Sequence, residues 1–241
     1  MGSNNNLTDE LPVITIDGPG GSGKGTVGQR LAWQFGWEFL DSGALYRLVG
    51  LSALKRDVKL DSVKEIANIA RNLPAQFAVK EGDHGTESII LLEDQDVSSK
   101  LRTEECASAA SQVAQYDEVR QALLERQRAF RVEPGLVADG RDMGTVVFPD
   151  AQLKVFLTAS AEIRAERRFK QLKTKGMDAS LSAILADIQA RDYRDTHRSV
   201  SPLVPADDAI ILDTTLMSVD DVEQKVLELA KSRFLQLNSL G

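Results

Sequence analysis

The alternation of apolar and polar positions divides the chain into strands and helices that follow one another in turn. Val13, Ile14 and Ile16 form a β-branched run suited to a buried strand, and Gly25 to Phe35 then shows helical spacing through Val27, Leu31, Ala32 and Phe35. Gly36 marks a helix stop. Trp37 to Leu40 predicts a second strand, which delivers Asp41-Ser42-Gly43 to the start of a helix carrying Tyr46, Arg47, Leu48 and Leu51. In isolation Ser42 reads as an N-cap and Arg47 as a solvated helix residue. A helix over Ser62 to Asn72 ends before Pro74. Gln76 to Val79 and Ser88 to Leu92 then read as hairpin strands around Gly82-Asp83-His84-Gly85, with His84 a solvated turn residue.

Helices follow at Thr103 to Ala114 and Asp117 to Arg131. Gly135 to Asp142 repeats the opening logic of an apolar strand running into an acid, a glycine and charge. Lys154 to Leu157 and Ile210 to Asp213 complete five strands, with helical patterns at Ala161 to Lys175, Leu181 to Asp195 and Val219 to Leu237. Strands separated by helices pair in parallel through right-handed crossovers. The expectation is an α/β fold, a five-stranded parallel sheet covered by helices on both faces, with a small antiparallel insertion at residues 75–99. Residues 1–10 are expected to be a disordered polar tail, and residues 11–241 one domain.

The stretch between the first strand and helix carries the chemistry. Gly18, Gly20, Gly21 and Gly23 allow backbone N–H groups to turn inward where a Cβ would clash, and the helix after them adds unsatisfied N–H groups and a positive dipole end. Lys24 is placed to reach β- and γ-phosphates. Gly25 stands where most such loops put a magnesium-ligating hydroxyl, and Thr26 comes one residue later. Any magnesium is therefore expected to be held by nucleotide oxygens and waters, with no direct protein ligand.

Composition bounds the remaining possibilities. The 241 residues are 42% hydrophobic with mean hydropathy −0.21, enough for a substantial core. Without an apolar span or a signal-like N-terminus, and with Cys106 alone, the expectation is a cytoplasmic protein with no membrane partner and no disulfide. A monomer is expected, though no sequence feature fixes the oligomeric state. A net charge of −7 argues against a nucleic-acid binder, and Phe169 and Tyr193 are too sparse for a stacking platform. The charge is uneven: Ala161 to Arg198 holds nine Lys or Arg against six acids, net +3, and the remainder is −10.

Within that segment Arg191, Arg194, Asp195 and Arg198 fall at i, i+3, i+4 and i+7, one face if the helix persists. Arg164 and Arg168 form a second pair at i, i+4. Such a stripe reads either as a salt-bridged surface helix or as an anion contact. Phosphoryl transfer needs positioned cations more than a nucleophile, and the planar guanidinium suits it. Lys24, Arg141, Arg168 and the Arg191, Arg194 and Arg198 set are the candidates.

With the loop, Asp41-Ser42-Gly43-Ala44-Leu45-Tyr46-Arg47, Ala110-Ser111-Gln112-Val113-Ala114, Val119-Arg120 and the run from Ala138 through Asp139, Gly140, Arg141 and Asp142 to Pro149 in order, the chain resembles the bacterial cytidylate kinase family from about Leu11 to the last helix. That resemblance implies a P-loop kinase fold with the insertion on the monophosphate side and a helical lid at residues 161–180. It implies transfer of the γ-phosphoryl of ATP to CMP or dCMP, with Mg2+ bound through phosphates and water. Gly18, Pro19, Gly20, Gly21, Ser22, Gly23, Lys24, Gly25 and Thr26 would bind ATP. Ser111, Arg120 and Asp142 would read cytosine, Ser42, Arg47, Arg141 and Arg198 hold the acceptor phosphate, and Arg191 with Asp195 the sugar. Lys24, Asp139, Arg141, Arg168 and Arg198 would carry catalysis. A kinase using UMP comparably, another P-loop small-molecule kinase, and a nucleotide-dependent switch module are the rival expectations.

Overall fold

The computed structural model describes residues 11–82, 85–174 and 176–238. Residues 1–10, Asp83, His84, Lys175 and 239–241 lie outside the described residues, and with them the expected tail and the expected turn role of His84. In chain order the elements begin β1 (Val13–Asp17), α1 (Lys24–Phe35), β2 (Glu38–Asp41), α2 (Ser42–Lys55) and α3 (Val63–Arg71). They continue through β3 (Ala75–Gly82), β4 (Gly85–Leu92), β5 (Gln95–Asp96), a 3₁₀ turn (Lys100–Arg102), α4 (Glu104–Val113) and α5 (Asp117–Arg128). The last are β6 (Leu136–Gly140), a π-helical turn (Met143–Val147), β7 (Leu153–Thr158), α6 (Ala161–Thr174), α7 (Leu181–His197), β8 (Ile210–Asp213) and α8 (Val219–Asn238).

The chain divides into two compact units, one comprising residues up to 41, 127–197 and from 201 onward, the other 42–126 with 198–200. The first holds the five-stranded sheet, ordered β2-β6-β1-β7-β8 and parallel throughout. β1 lies at its centre, paired to β6 with Ile16 opposite Asp139 and to β7 with Ile16 opposite Val155. One face carries Ile14, Ile16, Val137, Leu153, Val155 and Leu157, packed beneath Val27 and Leu31 of α1 and Val222, Val226 and Ala230 of α8. On the other face the π-helical turn closes down on the sheet, so that a Cβ on Gly144 would lie 2.9 Å from Thr15 Oγ1 and 3.1 Å from Lys154 Cδ. Both positions of a parallel central strand are thus covered, which is why β1 is buried at every residue. Among the described residues no helix is long and apolar enough to cross a membrane.

The second unit packs α2 against α4 at Gly50, where an added Cβ would meet Ala109 Cβ at 3.0 Å and Ala110 N at 3.1 Å. Its sheet is the expected hairpin, β3 antiparallel to β4 with Gly82 opposite Gly85, extended by β5. β5 has only two residues, both exposed, and so leaves no periodicity to read. Arg126 at the end of α5 donates to the carbonyls of Leu73 and Ala75, fixing the entry to the hairpin. Cys106 is buried and its thiol donates to the Arg47 carbonyl; burial pushes it up to about 11, so it is an inert packing residue.

Two expected helix ends move. α5 stops at Arg128 instead of Arg131. α7 runs to His197, one residue short of Arg198, because Thr196 and His197 engage the last carbonyls and Leu203 N–H then bonds Asp195 O. The arginine stripe from 191 to 198 therefore breaks: Arg191, Arg194 and Asp195 lie on α7, and Arg198 belongs to the second unit.

Candidate active site

The loop after β1 takes its shape from glycine at positions no other residue can fill. Gly18 has φ 144° and a Cβ there would sit 2.0 Å from the Leu157 carbonyl oxygen. Gly23, at φ 99° and ψ −2°, is the left-handed N-cap of α1, with no side-chain hydrogen bond to cap that helix. Gly20 has no such constraint; a Cβ there would instead meet cations, at 3.4 Å from Arg141 Nη2 and 3.9 Å from Arg191 Nη1.

Three loop carbonyls are held by side-chain donors. Pro19 O accepts from Ser22 Oγ and Lys24 Nζ, each at 3.0 Å. Gly20 O accepts from Arg164 Nη1 at 3.1 Å, and Ser22 O accepts from Thr214 Oγ1 at 3.2 Å. In a planar trans peptide the carbonyl and the following N–H point in opposite directions. The N–H groups of Gly20, Gly21 and Gly23 are thereby aimed away from these donors, the arrangement a phosphate needs.

Lys24 is 5% exposed and lies 3.7 Å from Asp139 Oδ1. Burial lowers its ammonium to about 8, and nearby Arg141 and Arg191 push the same way against Asp139 and Asp17. Three cations crowd one loop, which an entering anion would relieve. Arg141 Nε donates to Asp195 Oδ2 at 2.9 Å and its Nη1 to Gly140 O at 3.1 Å. Burial is the largest single influence and works against the Arg141 charge, but Asp195, Asp139 and Asp17 together lift the guanidinium above its ordinary value. Gly25 is explained by Asp139: a Cβ there would come within 3.2 Å of Asp139 Oδ2. The missing hydroxyl of the loop is thus replaced in space by a carboxylate at the end of β6. Thr26 is exposed.

Asp142 is buried just before the π-helical turn, whose Met143 and Gly144 N–H groups donate to Asp17 Oδ1 and Oδ2 at 2.9 and 2.8 Å. Burial raises Asp17 to about 7, with Asp142 adding to the rise and the two N–H donors opposing it. Asp17 was not among the expected site residues, since at the end of an apolar strand it reads as the loop's first polar residue. Arg164 and Asp192 were also missed as a pair. Arg164 is buried and its guanidinium grips the Asp192 carboxylate, whereas Arg168, four residues on, is only half-buried.

The first unit therefore brings together Lys24, Asp139, Arg141, Arg191 and Asp195 around Gly20, with Asp142 beyond them at the end of β6. In the second unit Ser42 and Arg47 lie on α2, Ser111 on α4 and Arg120 on α5. Arg120 is buried, donates to the Ala114 carbonyl at 3.2 Å, and stacks over Tyr46 with 5.4 Å from its guanidinium carbon to the ring centre. Tyr46 is a platform the sequence reading left out. Ser42 and Ser111 are both buried, as a solvated cap would not be.

The cytidylate kinase family model matches residues 14–232. A cytidylate kinase from Stutzerimonas stutzeri (strain A1501) is 54% identical over 225 residues, 93% of this chain and 97% of that one. One from Shewanella sediminis (strain HAW-EB3) is 52% identical over 90% of this chain and 93% of its own length, and one from Shewanella sp. (strain MR-4) is 48% identical over 96% and 100%. A solved gluconokinase from Sinorhizobium meliloti 1021 aligns over 93% of this chain and 97% of its own at 14% identity and a TM-score of 0.43, a likeness too loose to bear on function. On the family match and these identities, the chain belongs to the cytidylate kinase family of nucleoside monophosphate kinases.

Proposed function

We propose that the protein transfers the γ-phosphoryl of ATP to CMP or dCMP, giving ADP and the pyrimidine diphosphate. The observation that carries this beyond family membership is the cation cluster around Gly20, where Arg141 and Arg191 approach the loop and crowd Lys24, beside N–H groups whose partner carbonyls are held aside. Residues Gly18 to Thr26 take the ATP phosphates. Arg141 and Lys24 neutralise charge on the passing phosphoryl oxygens, and Arg168 and Arg198 add to it from the lid and acceptor sides. Ser42, Arg47, Arg141 and Arg198 bind the acceptor phosphate, Arg191 and Asp195 its sugar, and Ser111, Arg120 and Asp142 its base.

The donor set fits a magnesium ion carried by the nucleotide. Among the described residues no group of three His, Cys, Asp or Glu is placed to hold a metal, and the Asp139 carboxylate beside Gly25 is a hard oxygen suited to a metal-bound water. When bound, magnesium supplies charge neutralisation at the phosphate oxygens. Asp142 suits a cytosine because a carboxylate accepts from the exocyclic amine, whereas the uracil oxygen in that place leaves a buried acceptor facing an acceptor. The residues acting as catalysts include no nucleophile, since the acceptor is itself an anion. The same reading takes the enzyme as a cytoplasmic monomer with residues 161–180 as the lid.

Initial rates of ADP formation with CMP, dCMP and UMP test the assignment. CMP and dCMP should exceed UMP in kcat/KM by about 10²-fold, and Asp142→Asn should shrink that ratio while lowering the CMP rate. Equal or faster UMP turnover would remove cytosine recognition from the account.

A further inference from the structure

Arg164 has no part in the nucleotide contacts assigned above, yet it is 4% exposed and joined to three segments of the first unit. Its Nε donates to Ala159 O at 2.9 Å, just past β7, and its Nη1 to Gly20 O at 3.1 Å in the phosphate loop. Nη1 also donates to Asp192 Oδ1 at 3.1 Å, and Nη2 to Asp192 Oδ2, on α7. Gly21 leaves room for this approach, since a Cβ there would fall 3.3 Å from Arg164 Cβ.

Two consequences follow from this geometry. Holding the Gly20 carbonyl towards α6 turns the N–H of the same peptide, that of Gly21, to the opposite side. Holding Asp192 fixes the turn of α7 whose preceding residue, Arg191, brings its guanidinium to Gly20. One planar cation thus sets both a loop N–H and a second cation, which only a group with several donors in fixed directions can do. With Arg164 buried and Asp192 a quarter exposed, the pair adds little net stability over a well-packed apolar pair, so direction is what it contributes.

We propose that Arg164, acting through the Gly20 carbonyl and Asp192, is a positioning residue for phosphoryl transfer that aims the Gly21 N–H and Arg191 at the same phosphate group. This rests on the reading that the loop holds the ATP phosphates, and it gives Arg191 a phosphate contact in addition to the sugar role above, because its Nη1 lies 3.9 Å from a Cβ built on Gly20. Because it orients groups that act on the transferring phosphoryl, its loss should appear in kcat more than in the ATP KM.

The test is steady-state kinetics with ATP and CMP on Arg164→Gln, Arg164→Lys, Asp192→Asn and the Gln/Asn double variant, with Lys24→Met as reference and circular dichroism to establish folding. Arg164→Gln should lose about 10²-fold in kcat, the scale of a misplacement of about 1 Å, with the ATP KM changed less than about 3-fold. Arg164→Lys, which keeps one donor direction, should recover part of that loss. The double variant should be no slower than Arg164→Gln alone, as expected of two groups acting as one. Folded variants with wild-type kcat, a loss confined to KM, or losses that multiply in the double variant would overturn the proposal. Should Arg164→Gln not fold, Arg164→Lys and Asp192→Asn carry the same comparison. If Lys24→Met retains turnover the loop reading has failed; if Lys24→Met is dead and the Arg164 and Asp192 variants are fully active, only the positioning role has.

Discussion

Replacing Asp17 with asparagine should change how stability depends on pH, because the native fold holds this carboxyl far from its ordinary state. Burial raises it from 3.8 to about 7, Asp142 adds repulsion, and the N–H groups of Met143 and Gly144, with Lys24, pull only part of the way back. A folded-state value above the unfolded one means that folding takes up a proton. The contribution to stability is whole below about pH 3.8 and declines as pH rises through about 7. Such a rise corresponds to at most about 4 kcal/mol, more than half of which is lost between pH 5 and pH 8. Asparagine cannot ionise and lacks this decline, but its amide presents a donor to one of the two backbone donors, which costs about 1–3 kcal/mol at every pH. Urea unfolding of both proteins at pH 5, 6, 7 and 8 measures the difference, in which titrations common to both cancel. The wild-type advantage should shrink by about 2–3 kcal/mol from pH 5 to 8. A constant advantage, or one that grows with pH, would refute the reasoning about Asp17.

The other predictions concern the packing and the loop. Gly50→Ala should destabilise the second unit by about 1–2 kcal/mol in urea unfolding, because overpacking against Ala109 and the backbone of Ala110 exceeds the helix-propensity gain of about 1 kcal/mol. Gly18→Ala should cost more than about 3 kcal/mol in the same assay, since the Leu157 carbonyl already occupies the space for a methyl. With Lys24 lowered to about 8, ATP binding at pH 8 should draw about half a proton onto the protein, read by calorimetry in buffers of different ionisation enthalpy and absent in Lys24→Met. For Lys24 alone the depressed value makes stability rise with pH between about 8 and 10.5, the opposite sign to Asp17.

The first strand, the loop and the first helix were legible because each rests on local chemistry: a β-branched run, glycine at left-handed φ, and a 3.6-residue period closed by Gly36 at φ 65°. The five strands and the hairpin followed from the same kind of signal. Sheet order did not, since β1 pairs with β6 and β7, both far along the chain, and no local pattern encodes that choice. The arginines show the limit most clearly. Arg164 and Arg168 have the same spacing on α6, but one is sealed between the loop and α7, which depends on where α7 packs. Arg198 continued the stripe by arithmetic, yet hydrogen bonds from Thr196 and His197 end the helix first. Asp17 was silent because its partners are backbone N–H groups 126 and 127 residues away, in a turn whose Met-Gly-Thr-Val-Val sequence looks like neither helix nor loop.

Turnover of CMP by Lys24→Met at saturating ATP tests most directly the proposal that Lys24 and the loop N–H groups grip the donor's phosphates. The wild-type site has an ammonium held between Pro19 O and Asp139, and methionine keeps the length and apolar stem while removing the charge. Loss of at least about 10²-fold in kcat, with the fold intact by circular dichroism, is the predicted result. Retention of most of the wild-type rate would contradict it.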